Sequence, residues 1–213
     1  DMRRNRLRII VALLSALALA GGLLGTAQAQ QRHLLLIEVN GIIDPISERF
    51  IVRAVDQAEA GGAELLVINL DTPGGLLSST RDITQHLLEA DVPTAVYVSP
   101  RGARAASAGT FITAAANFAV MAPGTNIGAA SPVGGTGEDL PDTLKSKATN
   151  DAAAEIHSIA AARGRNQEKL EETVLLAMAF TAEEAVDFNI VDFIAGDMED
   201  LLANGGVKRK SDN

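Results

Sequence analysis

The chain has 213 residues, no cysteine and a formal net charge of −9. So acidic a protein is a poor partner for nucleic acid, and without cysteine it has no disulfide, no thiolate nucleophile and no cysteine-ligated metal. Its histidines, His33, His86 and His157, are scattered without metal-ligand spacing, so neither a metal nor a cofactor is expected.

The first residues include Arg3, Arg4, Arg6 and Arg8, followed by an apolar stretch from Ile9 to about Gly25 and by Ala27-Gln28-Ala29 before the polar Gln30. That order matches a secretory signal peptide with an Ala-x-Ala cleavage site, which predicts export of the remainder to the periplasm or the outer face of a membrane. An uncleaved anchor through residues 9–25 is the alternative, because the run approaches the roughly 18 apolar residues that cross a bilayer. Gly21, Gly22 and Gly25 weaken it as a helix and favour cleavage. Residues 1–29 are thus set apart from one domain over 30–204, and residues 205–213 are read as a disordered polar tail.

His33 to Val39 is a nearly continuous apolar run, as expected for a strand of a parallel sheet covered on both faces. Asp44-Pro45 then starts a helix with an apolar stripe of Ile51, Val52 and Val55, which Gly61-Gly62 ends. Leu65 to Leu70 is a second buried strand leading into the turn Pro73-Gly74-Gly75. The next helix is expected to be capped by Ser78 or Ser79 and to bury Ile83, Leu87 and Leu88, before Asp91-Val92-Pro93 stops it. Thr94 to Val98 is a third strand, an alanine-rich helix reaches about Ala116, and Phe118 to Met121 is a further strand.

The glycine-rich residues 122–140 offer no regular element. A helix is predicted from Asp142 to about Ala162 with Ala152, Ile156, Ile159 and Ala160 on one face, broken by Arg163-Gly164-Arg165-Asn166. Glu168–Met178 and Thr181–Phe188 read as two more helices, the second with a capping box from Thr181 to Glu184. Ile190 to Ile194 is a last strand and Met198–Leu202 a short helix. Strands alternating with helices point to an α/β fold with crossover connections.

Two segments carry chemistry. Ser107, in Arg101-Gly-Ala-Arg-Ala-Ala-Ser107-Ala-Gly-Thr110, sits among small residues where a strand hands over to a helix, a setting suited to a nucleophile. Upstream, Asp71-Thr-Pro-Gly-Gly75 ends another strand with two glycines whose N–H groups are candidates to hold a negatively charged oxygen. A serine hydroxyl needs a base. His33 starts a strand, His86 lies in a helix among apolar neighbours, and His157 lies on the polar side of a helix, so none is favoured.

Ser-Lys pairs perform the same chemistry. Lys169 lies in a charged stretch and Lys208 and Lys210 in the tail, which leaves Lys145 and Lys147. A lysine is a base near neutral pH only where an apolar setting lowers its pKa from roughly 10.4. Spacing does not separate the two, and both also fit solvated positions at a helix start.

Asp71-Thr-Pro-Gly-Gly75, Ala103-Arg-Ala-Ala-Ser-Ala-Gly109 and Met121-Ala-Pro-Gly-Thr-Asn-Ile-Gly128 together resemble the ClpP/crotonase superfamily. With Lys147-Ala-Thr-Asn-Asp151, Arg163-Gly-Arg-Asn166 and Thr181-Ala-Glu-Glu-Ala185, the chain is more closely similar to the NfeD-type membrane-associated serine proteases, from about residue 33 to 203. The resemblance implies repeated β-β-α units around a mostly parallel sheet, with Ser107 as nucleophile. It implies Lys147 as base, since the family's lysine is followed shortly by Asn-Asp, and an oxyanion hole from the Gly74-Gly75 turn and the N–H of Ala108.

The soluble ClpP branch carries its catalytic histidine where this chain has Ala130, so the resemblance implies the lysine dyad. It also implies apolar substrate segments such as the C-terminal region of stomatin-like membrane proteins, and assembly as a homodimer or larger homo-oligomer. Long members continue into membrane spans and a small β-barrel domain, so this chain is expected to be a short form or a truncation. A tryptophan common after Arg-Gly-Arg-Asn is replaced within Gln167-Glu-Lys169. Two other readings stand beside the protease: a non-catalytic scaffold for a stomatin-like partner, and a crotonase-like acyl-CoA enzyme, which uses a similar oxyanion hole.

Overall fold

The computed structural model describes residues 33–133 and 141–204. The export segment 1–29, residues 134–140 of the glycine-rich loop and the tail 205–213 lie outside the described residues.

Strands β1 (Leu34–Asn40), β2 (Leu65–Asp71), β3 (Thr94–Val98), β5 (Phe118–Met121) and β8 (Phe193–Ile194) form one sheet in the order β1-β2-β3-β5-β8, parallel throughout. Successive side chains of a strand point to opposite faces. Leu66, Ile68, Leu70, Val96 and Val98 therefore enter the main core under the helices, while Leu65, Val67, Ala95 and Tyr97 enter a smaller one closed by Ala195 and Leu201. Both faces being covered is why β2 and β3 read as unbroken apolar runs.

Helix α1 (Pro45–Ala60) begins as the sequence indicates: Asp44 accepts from the N–H groups of Ile46 and Ser47, the Ser47 hydroxyl completes a capping box, and Pro45 fills the first position. Its buried face is Ile51, Ala54, Val55 and Ala58; Val52 is only half-buried. Helix α2 (Leu77–Glu89) starts earlier than the serines suggest. Leu76 is its cap, without a side-chain hydrogen bond, because the Leu76 N–H is held by the Ile43 carbonyl at 2.8 Å and the chain rises straight from the glycine turn. Ser79 is consequently inside the helix and fully buried.

A second sheet, in the order β4-β6-β7, is made of strands β4 (Arg104–Ala106), β6 (Asn126–Gly128) and β7 (Ala179–Thr181). The first pair is parallel and the second antiparallel. β6 lies within the stretch expected to be irregular; the helix expected over Glu168–Met178 ends at Leu175, and β7 occupies the junction between it and the next helix. Helix α3 (Ala108–Ala115), buried along its whole length, follows β4 directly. Two strand-strand-helix units result: β3-β4-α3, and β5-β6 followed by helix α4 (Asp142–Arg163).

The Arg163-Gly-Arg-Asn166 segment has a structural role. Gly164 ends α4 in the left-handed conformation, and Asn166 caps helix α5 (Gln167–Leu175) through the Lys169 N–H. Arg165, 5% exposed, donates to the carbonyls of Ala114 and Ala116 and pairs with Asp192, while Arg163 donates to the carbonyls of Ala115 and Leu87. Two cations thus satisfy the C-terminal carbonyls of α3, where the helix dipole favours positive charge. Helix α6 (Ala182–Asp187) opens with the expected Thr181–Glu184 capping box, and α7 (Met198–Asn204) closes the domain. Among the described residues no helix is long and apolar enough to cross a membrane.

Candidate active site

The carboxyl ends of β2, β4 and β6 meet, and a β-α-β fold places its functional groups at such ends. Asp71 and Thr72 stitch the first two together. The Asp71 carboxylate accepts from the Arg104 N–H at 3.0 Å, the Thr72 N–H donates to the Arg104 carbonyl at 2.8 Å, and the Thr72 carbonyl accepts from the Ala106 N–H at 3.1 Å. The glycine turn is thereby fixed beside the strand that delivers Ser107. On the far side of β4, the Ala129 carbonyl just past β6 accepts from the Ser107 N–H at 3.3 Å.

Ser107 stands between β4 and α3 with φ 48 and ψ −111. That region is sparsely populated by non-glycine residues, and such strain persists only where neighbouring structure imposes it. The bend presents the half-buried side chain at the amino end of α3, and its hydroxyl has no hydrogen-bond partner among the described residues. A methyl group on Gly74 would meet Ser107 Cβ at 2.6 Å and Oγ at 3.2 Å, and Gly74 itself has φ +116. Only glycine fits there.

The three expected oxyanion donors differ. The Gly74 N–H is engaged by Thr72 Oγ1 at 3.0 Å, so Gly74 contributes space and turn geometry in place of a free donor. Gly75 is exposed, and its N–H donates to nothing among the described residues. It is held there because Ile43 brackets it: the Ile43 N–H donates to the Gly74 carbonyl at 2.9 Å and the Ile43 carbonyl accepts from Leu76. A methyl group on Gly75 would fall 1.9 Å from that Ile43 oxygen. Ala108 opens α3, and the N–H groups of a first turn have no acceptor within their helix.

Lys147 and Lys145 lie on the first turns of α4, both exposed. No hydrogen bond joins Lys147 to Ser107 among the described residues. The histidines are elsewhere: His86 contacts the Asp82 carbonyl at 2.7 Å, His157 pairs with Glu171 across α4 and α5, and His33 is exposed at the start of β1. Ala130, at the position of the soluble branch's histidine, is buried and bonded through its N–H to the Thr173 carbonyl. Among the described residues no cluster of His, Asp or Glu side chains is arranged to hold a metal ion.

Exposed apolar residues adjoin the backbone on both sides of the serine: Ile42 and Leu76 are the chain neighbours of Ile43 and Gly75, and Met178 accepts through its carbonyl from the Ala129 N–H at 2.6 Å. The sequence contained the signal for Gly75 and Ala108 in its small-residue motifs. It contained none for Arg81 on α2, which pairs with both Asp151 and Glu155 of α4.

Residues 33–211 match the family described as NfeD1b, N-terminal domain. The chain is 33% identical over 205 residues to the membrane-bound protease PH1510 of Pyrococcus horikoshii, covering 95% of this chain and 45% of that protein. It is 32% identical over 111 residues to the membrane protein NfeD1b of Bacillus subtilis, covering 52% of this chain and 25% of that protein. The chain thus spans less than half the length of either curated relative. Among solved structures, 1510-N, a membrane-bound stomatin-specific protease crystallised as a lysine-to-alanine variant with a substrate peptide, superposes with a TM-score of 0.76 at 33% identity. That match covers 82% of this chain and 80% of that one. ClpP1 of Listeria monocytogenes superposes with a TM-score of 0.63 at 19% identity, over 77% of this chain and 92% of that one, and so shares the fold. The chain belongs to the NfeD1b N-terminal domain family.

Proposed function

We propose that this domain is a serine endopeptidase with Ser107 as nucleophile and Lys147 as general base. The observation that carries the reading is the strained backbone of Ser107, φ 48, at the amino end of α3, where neither its hydroxyl nor the Gly75 N–H has a hydrogen-bond partner among the described residues. Neutral Lys147 takes the hydroxyl proton as Oγ attacks a peptide carbonyl. The N–H groups of Gly75 and Ala108 hold the oxyanion, aided by the positive end of α3. The lysine returns the proton to the leaving amine, and water then releases the acyl-enzyme.

The choice of Lys147 is supported by the relatives' own variants. Structures of 1510-N were determined with a serine or a lysine replaced by alanine, and those two positions lie about forty residues apart, as Ser107 and Lys147 do here. Lys147 is exposed in the free chain, so bound substrate or a second copy of the domain supplies the apolar cover that a lysine base needs. Apolar side chains on both sides of Ser107 suit an apolar peptide, and 1510-N is named as stomatin-specific. We therefore place the C-terminal region of a stomatin-like protein as substrate. The relatives' membrane-bound character agrees with a site at the outer face of a membrane, reached through export by residues 1–29.

Hydrolysis of an internally quenched apolar peptide tests the reading. Ser107→Ala and Lys147→Ala should each abolish cleavage and Lys145→Ala should not. A Ser107→Ala protein that cuts at the wild-type rate contradicts it. The scaffold reading draws on the separation of Lys147 from Ser107 in the free chain; it requires a wild type without turnover that still retains a stomatin-like partner.

A further inference from the structure

We propose that Arg81 is a positioning residue that sets where Lys147 stands relative to Ser107, by pinning α4 to the helix that grows out of the glycine turn. The inference rests on the Ser-Lys reading and adds a component to it.

Lys147, Asp151 and Glu155 follow one another at intervals of four on α4, so they lie along one side of that helix. The two acids of this row are bonded to one guanidinium. Arg81 Nε donates to Glu155 Oε2 at 2.9 Å, and Arg81 Nη2 donates to Asp151 Oδ2. Arg81 itself is on α2, which begins at Leu77, two residues after Gly75. One side chain therefore joins the helix of the proposed base to the helix of the proposed oxyanion turn.

Core packing does not fix Lys147. The first fully buried residue of α4 is Ala152; from Asp142 to Asp151 only Ala148 and Thr149 are half-buried and the other side chains are exposed. This amino-terminal part behaves as a lever, and its fulcrum is where Asp151 meets Arg81. A shift of about 1 Å at a reacting group costs up to roughly a hundredfold in rate, so a tether next to the lever sets activity out of proportion to its strength. Arginine suits the task because its planar fork reaches two carboxylates at once, which a point-charged ammonium does less well. The two pairs differ in exposure: Arg81 and Asp151 are 43% and 63% exposed, so that pair adds little stability and its value lies in position, while Glu155, 18% exposed, is the firmer anchor of the same guanidinium.

The test measures kcat and KM for the full chain on an internally quenched peptide of leucine, isoleucine and valine, with the thermal midpoint recorded for each variant. Arg81→Met should lower kcat by about tenfold or more, leave KM within about twofold and move the midpoint by no more than about 2 °C. Asp151→Asn should lower kcat in the same way, and in the double variant with Arg81→Met the two losses should not multiply. An Arg81→Met protein with wild-type kcat overturns the proposal. So does a double variant whose losses multiply, and Asp151→Asn decides the matter if Arg81→Met fails to fold. Failure of the Ser-Lys reading shows separately, as wild-type turnover retained by Lys147→Ala.

Discussion

Gly74 and Ser107 stand so close that a single methyl group on Gly74 would lie 2.6 Å from the serine Cβ. Gly74→Ala should therefore displace Ser107 or unfold its strand, with a loss of roughly 2 kcal/mol or more from the clash and the positive φ together. Peptide hydrolysis should fall by at least about a hundredfold. Denaturant unfolding and steady-state kinetics on the same preparation check both parts, and near-normal activity would show that the Ser107 bend tolerates a side chain behind it.

Gly75 is held by a different neighbour. A methyl group there meets the Ile43 carbonyl oxygen at 1.9 Å, so Gly75→Ala should open the link between β1 and the turn. Activity should fall by about a hundredfold, as for loss of one oxyanion donor, and Ile43 and Leu76 amide protection against hydrogen exchange should fall with it.

Arg165→Met should be among the most destabilising single changes in the domain. It removes the buried donor to the Ala114 and Ala116 carbonyls and leaves Asp192 without its cation. A loss of about 3 kcal/mol is expected from orphaned acceptors and the broken ion pair. Because α3 begins at Ala108, the same change should loosen Ser107, and the urea midpoint and kcat should fall together.

The Asp44 carboxyl is held below the usual carboxylate range, chiefly by the Ser47 N–H, with burial opposing and the Ile46 N–H assisting. A folded-state pKa below the unfolded value means that the cap stabilises the protein fully above the unfolded value of about 3.9 and ceases to do so as pH falls through the folded value. Asp44→Asn should flatten the acid limb of the unfolding profile below about pH 4 and leave its slope near neutrality unchanged. Thermal midpoints across pH 2 to 7 measure this; an acid limb identical to wild type would contradict it.

Long elements with a repeating pattern were legible in the chain. β2 and β3 show as apolar runs because both faces are covered, and α1 and α6 show through caps whose side chains bond as their positions indicate. Strands of three residues, β4, β6 and β7, are too short for alternation to register: β4 showed only as the strand that hands over to a helix at Ser107, and β6 and β7 were not visible. The Ser78-Ser79 pair misled for a tertiary reason: the Ile43 carbonyl takes the Leu76 N–H and starts α2 sooner. At the site, small residues betrayed the turn around Ser107. Which glycine N–H is engaged depends on the Thr72 hydroxyl, and the link between α2 and α4 depends on Arg81, contacts between residues that composition and spacing do not relate.

On the proposed reading Ser107 is a nucleophile activated in place. Labelling the folded chain with a serine-reactive phosphonate, and locating the adduct by mass spectrometry, tests it most directly. One modified residue is expected, Ser107, with labelling slowed by at least about a hundredfold in Lys147→Ala. A folded protein that hydrolyses the apolar peptide yet carries the label on another serine, or none, would contradict it.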